Sequence, residues 1–168
     1  MGGRTRGGRE LCRRERRTVR HYALTIGAPV ALVYRAWSDP ELAARWSWGA
    51  EHETLSVELD CRPGGAWKQV IRNRTNGEQW SFDGMFQEVE PLRRLVHTFH
   101  WRGDRGQEEG PSLVTIEFFE RPAGTEVVIT HRRLDQAKVE GTRTGWEGVL
   151  VAVESCLAES AIPSDTTS

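Results

Sequence analysis

The feature that most constrains the fold is a Pro-Gly-Gly corner, at residues 63–65, between two runs in which apolar and polar residues alternate. Alternation at every second residue is typical of a strand with one buried face. Proline fixes φ and has no N–H to donate to a strand ladder, whereas glycine tolerates positive φ. Strand pairing should therefore stop at Pro63 and resume after Gly65, so the sequence predicts a hairpin. The alternating apolar residues are Leu55, Val57, Leu59 and Cys61 before the corner, and Trp67 and Ile71 after it.

Charge is distributed unevenly along the 168 residues, a length that suits one domain. Residues 1–20 hold eight Arg and two Glu, whereas the rest of the chain has 15 Lys or Arg and 22 Asp or Glu, a net charge of −7. Because phosphate binding requires clustered Lys and Arg, this acidic body argues against nucleic-acid binding through the folded part. The Arg-rich stretch 1–18 has few apolar side chains, so we predict a disordered tail or an extension from an upstream start codon.

The three cysteines, Cys12, Cys61 and Cys156, are an odd set without CxxC spacing, so the sequence predicts free thiols and no metal site. No apolar run approaches the roughly 20 residues that a membrane-spanning helix needs. We therefore expect a cytoplasmic protein without a membrane segment. The sequence also has no HExxH, no Gly-rich phosphate loop and no Gly-x-Ser-x-Gly motif, so we predict no cofactor and no catalytic residue.

The predicted elements are a strand, two short helices, six further strands and one long helix. Residues 21–26 alternate as the first strand, and Pro29 suits the first turn of a helix. Asp39 is a natural N-cap and Pro40 a first helical residue, which predicts a second helix at 41–48. The six strands are predicted at about 53–61, 66–73, 78–89, 93–102, 112–120 and 125–134. The long helix carries an apolar face formed by Trp146, Val149, Leu150, Val153, Cys156 and Leu157.

Short motifs accompany this order of elements: Ala28-Pro29, Trp37 with Asp39-Pro40, Trp46, the corner from Asp60 to Gly65, Gly84, Val89-Glu90-Pro91 with Leu95, and Gly145-Trp146. Their order and spacing resemble the START-like helix-grip superfamily, in particular the polyketide cyclase-like proteins and the homologues of heat-shock ATPase activators. The resemblance implies an α+β fold with a curved, antiparallel, seven-stranded sheet wrapped around the C-terminal helix. It places this domain at residues 19–160, followed by a frayed end at 161–168.

One parity of the predicted strands is rich in aromatic residues, and this face would surround the long helix and line a cup. Ordinary core packing is the alternative interpretation of that pattern. A lone inward histidine is also more often a hydrogen-bonded core residue than an acid or base. Gln69, Glu88 and Glu117 are weaker polar candidates, because bulges shift parity. The predicted ligand-binding residues are Trp80, Phe82, Phe86, His97, Phe99, Trp101, Phe118, His131 and Trp146.

These residues favour a protein that binds a hydrophobic or aromatic small molecule in an internal apolar cavity. Two alternatives come from the resemblance: a polyketide cyclase or dehydratase that uses His97 or His131, and a co-chaperone that stimulates a heat-shock ATPase. The expected partner is the small molecule, with a second copy of the chain as a further candidate. We expect no membrane partner.

Overall fold

The computed structural model describes residues 19–133 and 139–161, and the predicted tail at 1–18 lies outside them. The predicted frayed end at 161–168 also lies outside them, apart from Ala161, which is helical. The elements in chain order are β1 (Arg20–Ile26), α1 (Val30–Ser38), α2 (Pro40–Ala43), β2 (His52–Leu59), β3 (Ala66–Asn73), β4 (Gln79–Glu90), β5 (Arg94–Arg102), β6 (Glu108–Arg121), β7 (Gly124–Arg132) and α3 (Val139–Ala161).

The seven strands form one antiparallel sheet in the order β1-β7-β6-β5-β4-β3-β2. The sheet curls into a half-barrel, and its inner face packs against α3 and the short helices, as predicted from the resemblance. The predicted apolar face of α3 is buried at Trp146, Val149, Leu150, Val153 and Leu157. The α+β helix-grip fold is therefore confirmed.

The glycine corner forms the predicted hairpin between β2 and β3. Gly64 has a φ of +82°, which favours glycine. Gly65 has no room for a side chain, because a Cβ there would collide with the carbonyl oxygen of Asp60. The corner is also tied to β4, since the Gly64 N–H donates to the Phe86 carbonyl at 2.8 Å and the Phe86 N–H donates to the Gly65 carbonyl at 2.9 Å.

The second helix is shorter than predicted and consists of one turn, Pro40–Ala43. Asp39 caps it as expected, because its carboxylate accepts the Glu41 N–H at 3.0 Å. A helix continued to residue 48 would point Trp46 and Trp48 in nearly opposite directions, since residues two apart do not share a helix face. Both indoles instead turn inward from a loop, where Trp46 Nε1 donates to the Ala36 carbonyl at 2.8 Å.

A bulge in β2 overturns the expected inward direction of Leu55. The register between β2 and β3 shifts between Thr54 and Ser56, and Leu55 is 41% exposed. Because one extra residue reverses parity, Thr54 takes the inward place instead. Its hydroxyl donates to the Trp46 carbonyl at 2.8 Å and accepts from Gln69 Nε2 at 3.3 Å.

Candidate functional site

The nine predicted ligand-binding residues all lie on the elements that were expected to build the inner surface, but at different depths. Trp80 and Trp101 are half-buried and pack edge to face, with ring centroids 5.8 Å apart. The other seven are buried: Phe82, Phe86, His97, Phe99, Phe118, His131 and Trp146. Of the nine, Phe86, His97, Phe99 and Trp146 line one apolar cavity on the inner side of the sheet. Whether any of the nine contacts a ligand stays a prediction.

This cavity has a volume of about 50 Å³ and lies between the two short helices, the inner face of β2–β6 and α3. A single water needs about 10–15 Å³ of such space, so the cavity holds more than one water but no large ligand in this conformation. Its walls are mostly apolar. Besides the four residues above, it is lined by Trp37, Ala43, Trp46, Trp48, Val57, Glu58, Leu59, Trp67, Gln69, Leu95 and Ile116.

Trp48 fills the centre of the cup, and the sequence analysis did not identify it as a site residue. Its ring stacks on Phe82 at a centroid distance of 4.5 Å and lies 4.7 Å from the ring of Trp146. Its Nε1 donates to Gln69 Oε1 at 2.9 Å. The one feature of the sequence that could have indicated this contact is Gly145 on α3. A Cβ at this position would lie only 3.2 Å from the Trp48 ring. Gly145 and Gly148 of α3 thus leave room for this loop.

His131 is enclosed in a complete hydrogen-bond chain. Trp146 Nε1 donates to His131 Nδ1 at 3.0 Å, so the ring proton resides on Nε2. Nε2 then donates to Ser112 Oγ at 2.6 Å, and Ser112 Oγ donates to the Phe99 carbonyl at 3.2 Å. Burial, together with the charge interaction with His97, lowers the pKa of His131 to about 3. His131 is therefore a neutral residue of the core that links β6, β7 and α3.

His97 has only one of its two ring nitrogens bonded. Its Nδ1 lies 2.9 Å from the Thr98 carbonyl oxygen, which can only accept, so Nδ1 carries the proton. Trp67 Nε1 donates to the same carbonyl at 3.1 Å. Burial lowers the pKa of His97 to about 4, so the ring is neutral at pH 7. Its Nε2 is thus an acceptor, and the one side-chain hydrogen bond of His97 found within residues 19–133 and 139–161 is that of Nδ1.

The three weaker polar candidates do not all lie on the inner face of the sheet. Gln69 is buried on the inner face, where its Oε1 accepts from Trp48 Nε1 and its Nε2 donates to Thr54 Oγ1. Glu88 is exposed and lies 3.3 Å from Arg94 in an ion pair. Glu117 is half-buried, and it lies between the inward residues Ile116 and Phe118, so it belongs to the other face. Only Gln69 remains at the site.

Neither a metal centre nor a membrane span is found in the part of the chain that the structure describes. Among those residues, no group of three His, Cys, Asp or Glu side chains could hold a metal ion. None of the helices there is long and apolar enough to cross a membrane.

Comparison with known families gives one match that covers most of the chain. The model of the family "Activator of Hsp90 ATPase homolog 1-like protein" matches residues 27–158. A search of the curated proteins gives no match.

Several solved structures have a similar fold. Protein CV1439 from Chromobacterium violaceum is 26% identical, with a TM-score of 0.74 over 83% of this chain and 96% of that one. The AHSA1-like protein from Aeromonas hydrophila is 23% identical, with a TM-score of 0.69 over 84% of this chain and 93% of that one. The AHSA1 protein from Silicibacter pomeroyi is 20% identical, with a TM-score of 0.74 over 84% of this chain and 99% of that one.

Proposed function

The chain belongs to the family of Activator of Hsp90 ATPase homolog 1-like proteins, and we propose that it binds a small apolar or aromatic molecule inside the cup. The observation that carries the proposal is the apolar cavity, which is walled by Trp37, Trp46, Trp48, Trp67 and Trp146 and offers one unpaired acceptor on His97. An enclosed apolar space with a few polar groups is the usual form of a small-molecule site.

The state of His97 favours binding over catalysis. A useful general base has a pKa near the working pH, whereas burial lowers the pKa of His97 to about 4. His131 is no better placed, because both of its ring nitrogens are already hydrogen-bonded. Neither histidine is therefore well suited to the proton transfer that a cyclase needs.

Trp48 controls the size of the ligand that can bind. The cavity of about 50 Å³ is well below the roughly 150 Å³ of a protein cavity that binds benzene, so it has no room for an aromatic ring while the Trp48 indole occupies the cup. This indole sits on the loop between α2 and β2, and its side chain is held by one hydrogen bond, to Gln69. A ligand with even one ring would therefore have to displace this indole, and its own ring would then replace the indole against Phe82.

The seven tryptophans make the proposal directly testable. We would titrate toluene, p-cresol and indole into the ¹⁵N-labelled protein and follow the indole N–H resonances. The proposal predicts saturable shifts for the indoles that line the cavity and none for Trp80, which does not line it.

A pair of variants on β2 localises the site. Val57 lines the cavity, whereas Leu55, two residues away, is 41% exposed. Val57→Phe should fill the space and weaken binding at least tenfold, whereas Leu55→Phe should leave it unchanged. The absence of a saturable shift with every compound would refute the proposal, as would equal losses in the two variants.

A further inference from the structure

The indole of Trp48 occupies a flat slot between aromatic rings. Its ring stacks on Phe82 with the centroids 4.5 Å apart and the planes 24° apart, and the rings of Trp146 and Phe99 lie 4.7 and 5.8 Å away. Stacked and tilted contacts at these distances are favourable for any aromatic ring of similar size. The indole itself therefore shows the size and orientation of a ring that this slot can hold.

The polar atom at the edge of the slot is Oε1 of Gln69, which accepts the Trp48 N–H at 2.9 Å. The other end of the amide fixes its orientation, because Gln69 Nε2 donates to Thr54 Oγ1 at 3.3 Å. Thr54 Oγ1 has already spent its proton on the Trp46 carbonyl, at 2.8 Å, so it can only accept from Gln69. The amide thus keeps its oxygen toward the slot, where only a donor can satisfy it.

Trp48 reaches the slot from the loop between α2 and β2, and it is half-buried, so part of the residue already meets solvent. Removing its ring from the slot would give up both the stacking and the hydrogen bond to Gln69. A buried acceptor that loses its donor is costly. The guest that can displace this indole most readily is therefore one that restores both contacts.

We propose, on the basis of the binding role above, that the ligand is a planar aromatic molecule with an N–H or O–H donor, which takes the place of the Trp48 indole. Its ring stacks on Phe82, and its donor bonds to Gln69 Oε1. A hydrocarbon of the same shape leaves that oxygen buried without a partner, and a ring ether sets a second acceptor against it. The site thus selects indoles and phenols over aromatic hydrocarbons and ethers.

Three ligands of nearly equal size test this selection: indole, indene and benzofuran. At one ring position they carry an N–H donor, a CH₂ group and an ether oxygen, respectively. Because one hydrogen bond to an otherwise unpaired buried group is at stake, indole should bind about tenfold more tightly than indene, with benzofuran the weakest. In the same ¹⁵N titration, bound indole should move the Trp48 N–H resonance to the position of a solvent-exposed indole and remove its nuclear Overhauser contact with Phe82.

Variants assign the two parts of the proposal. Trp48→Ala empties the slot in advance, so indole should bind about tenfold more tightly than it binds the native protein, and the order of the three ligands should persist. In Gln69→Leu the acceptor is gone, and indole should bind no better than indene. Gln79→Leu is the matched control, because Gln79 is exposed on β4 and does not line the cavity, so the full order should persist.

The results separate this inference from the proposed function. Equal binding of indole and indene to the native protein would overturn the donor selection and leave apolar binding intact. If Trp48→Ala bound indole no more tightly than the native protein, the replacement of Trp48 would be overturned, again without loss of the binding role. The absence of binding by all three ligands would refute both proposals.

If a variant does not fold, bound ¹⁵N-indole in the native protein decides the matter. A ligand N–H proton that moves downfield and shows a nuclear Overhauser contact with the Gln69 side-chain amide supports the inference. A bound indole that leaves the Trp48 N–H resonance and its contact with Phe82 unchanged overturns it.

Discussion

Two histidines share the inner face of the sheet, and their surroundings differ. His131 on β7 is bonded through both ring nitrogens, to Trp146 and Ser112. His97 on β5 is bonded through Nδ1 alone, and it lines the cavity. The first histidine thus belongs to a closed network that ties the sheet to α3, whereas the second makes a hydrogen bond through Nδ1 only, to the Thr98 carbonyl. Two histidines of the same parity therefore differ in how many hydrogen bonds they make, and under the proposed function the less bonded one is the better candidate for contact with a ligand.

Loss of Trp146 should have the largest effect on stability, because this residue both bonds to His131 and lines the cavity beside His97. Its side chain is 2% exposed, contacts Trp48 and donates to His131. Trp146→Ala would open a void and leave the His131 Nδ1 without a donor, so we expect a loss of about 3–5 kcal/mol in the free energy of unfolding. Trp80→Ala, at a half-buried position, should cost less in the same urea titration. Similar losses would show that the core does not depend on this helix contact.

Acid should destabilise the fold, since both histidines are neutral when buried. The pKa of His97 is lowered from 6.5 to about 4 and that of His131 to about 3. The unfolded chain therefore binds more protons below pH 6.5, and stability falls as the pH drops from about 6.5 toward 4. For His97 the full shift corresponds to about 3 kcal/mol. Thermal melting at several pH values should show this slope, and the slope should be smaller in His97→Phe; an equal slope would contradict the buried neutral state.

A smaller change, Ser112→Ala, tests whether the hydrogen-bond network of His131 is independent of the cavity beside His97. Ser112→Ala leaves the His131 Nε2–H buried without an acceptor, which should cost about 1–3 kcal/mol. Because Ser112 does not line the cavity, the affinity for p-cresol should be unchanged. Ser56→Ala, at an exposed serine of β2, is the matched control and should leave stability unaltered. A loss of affinity in Ser112→Ala would mean that the two regions are coupled.

The sequence predicted the element order, the corner and the inward parity of β4–β7, because each depends on local periodicity and on Gly or Pro chemistry. It failed where tertiary contacts decide the outcome. The bulge at Leu55 and the inward loop at Trp48 follow from partners on other elements, Gln69 and Trp146. An alternating pattern carries no information about such partners.

The hydrogen bonds of the two histidines also could not be predicted from an alternating sequence pattern. His131 meets Ser112 because of the register between β6 and β7, and it meets Trp146 because of the way α3 packs. Both are non-local features. The pattern places His97 and His131 on one face and does not distinguish between them. Only the structure shows that His131 is bonded through both ring nitrogens and His97 through Nδ1.

The smallest effect is expected at the charged corner, which tests whether the site lies in the cup at all. Arg62 and Asp60 are exposed and bond to each other, with Nε and Oδ2 2.8 Å apart. Exposed pairs of this kind contribute little to stability, because water competes for both charges. Arg62→Ala should therefore leave the melting temperature and p-cresol affinity unchanged, whereas Gly65→Val should prevent folding, since its side chain would collide with the Asp60 carbonyl. If a well-folded Arg62→Ala protein lost ligand binding, the site would have to include the corner, and the contrast between His97 and His131 would no longer locate it.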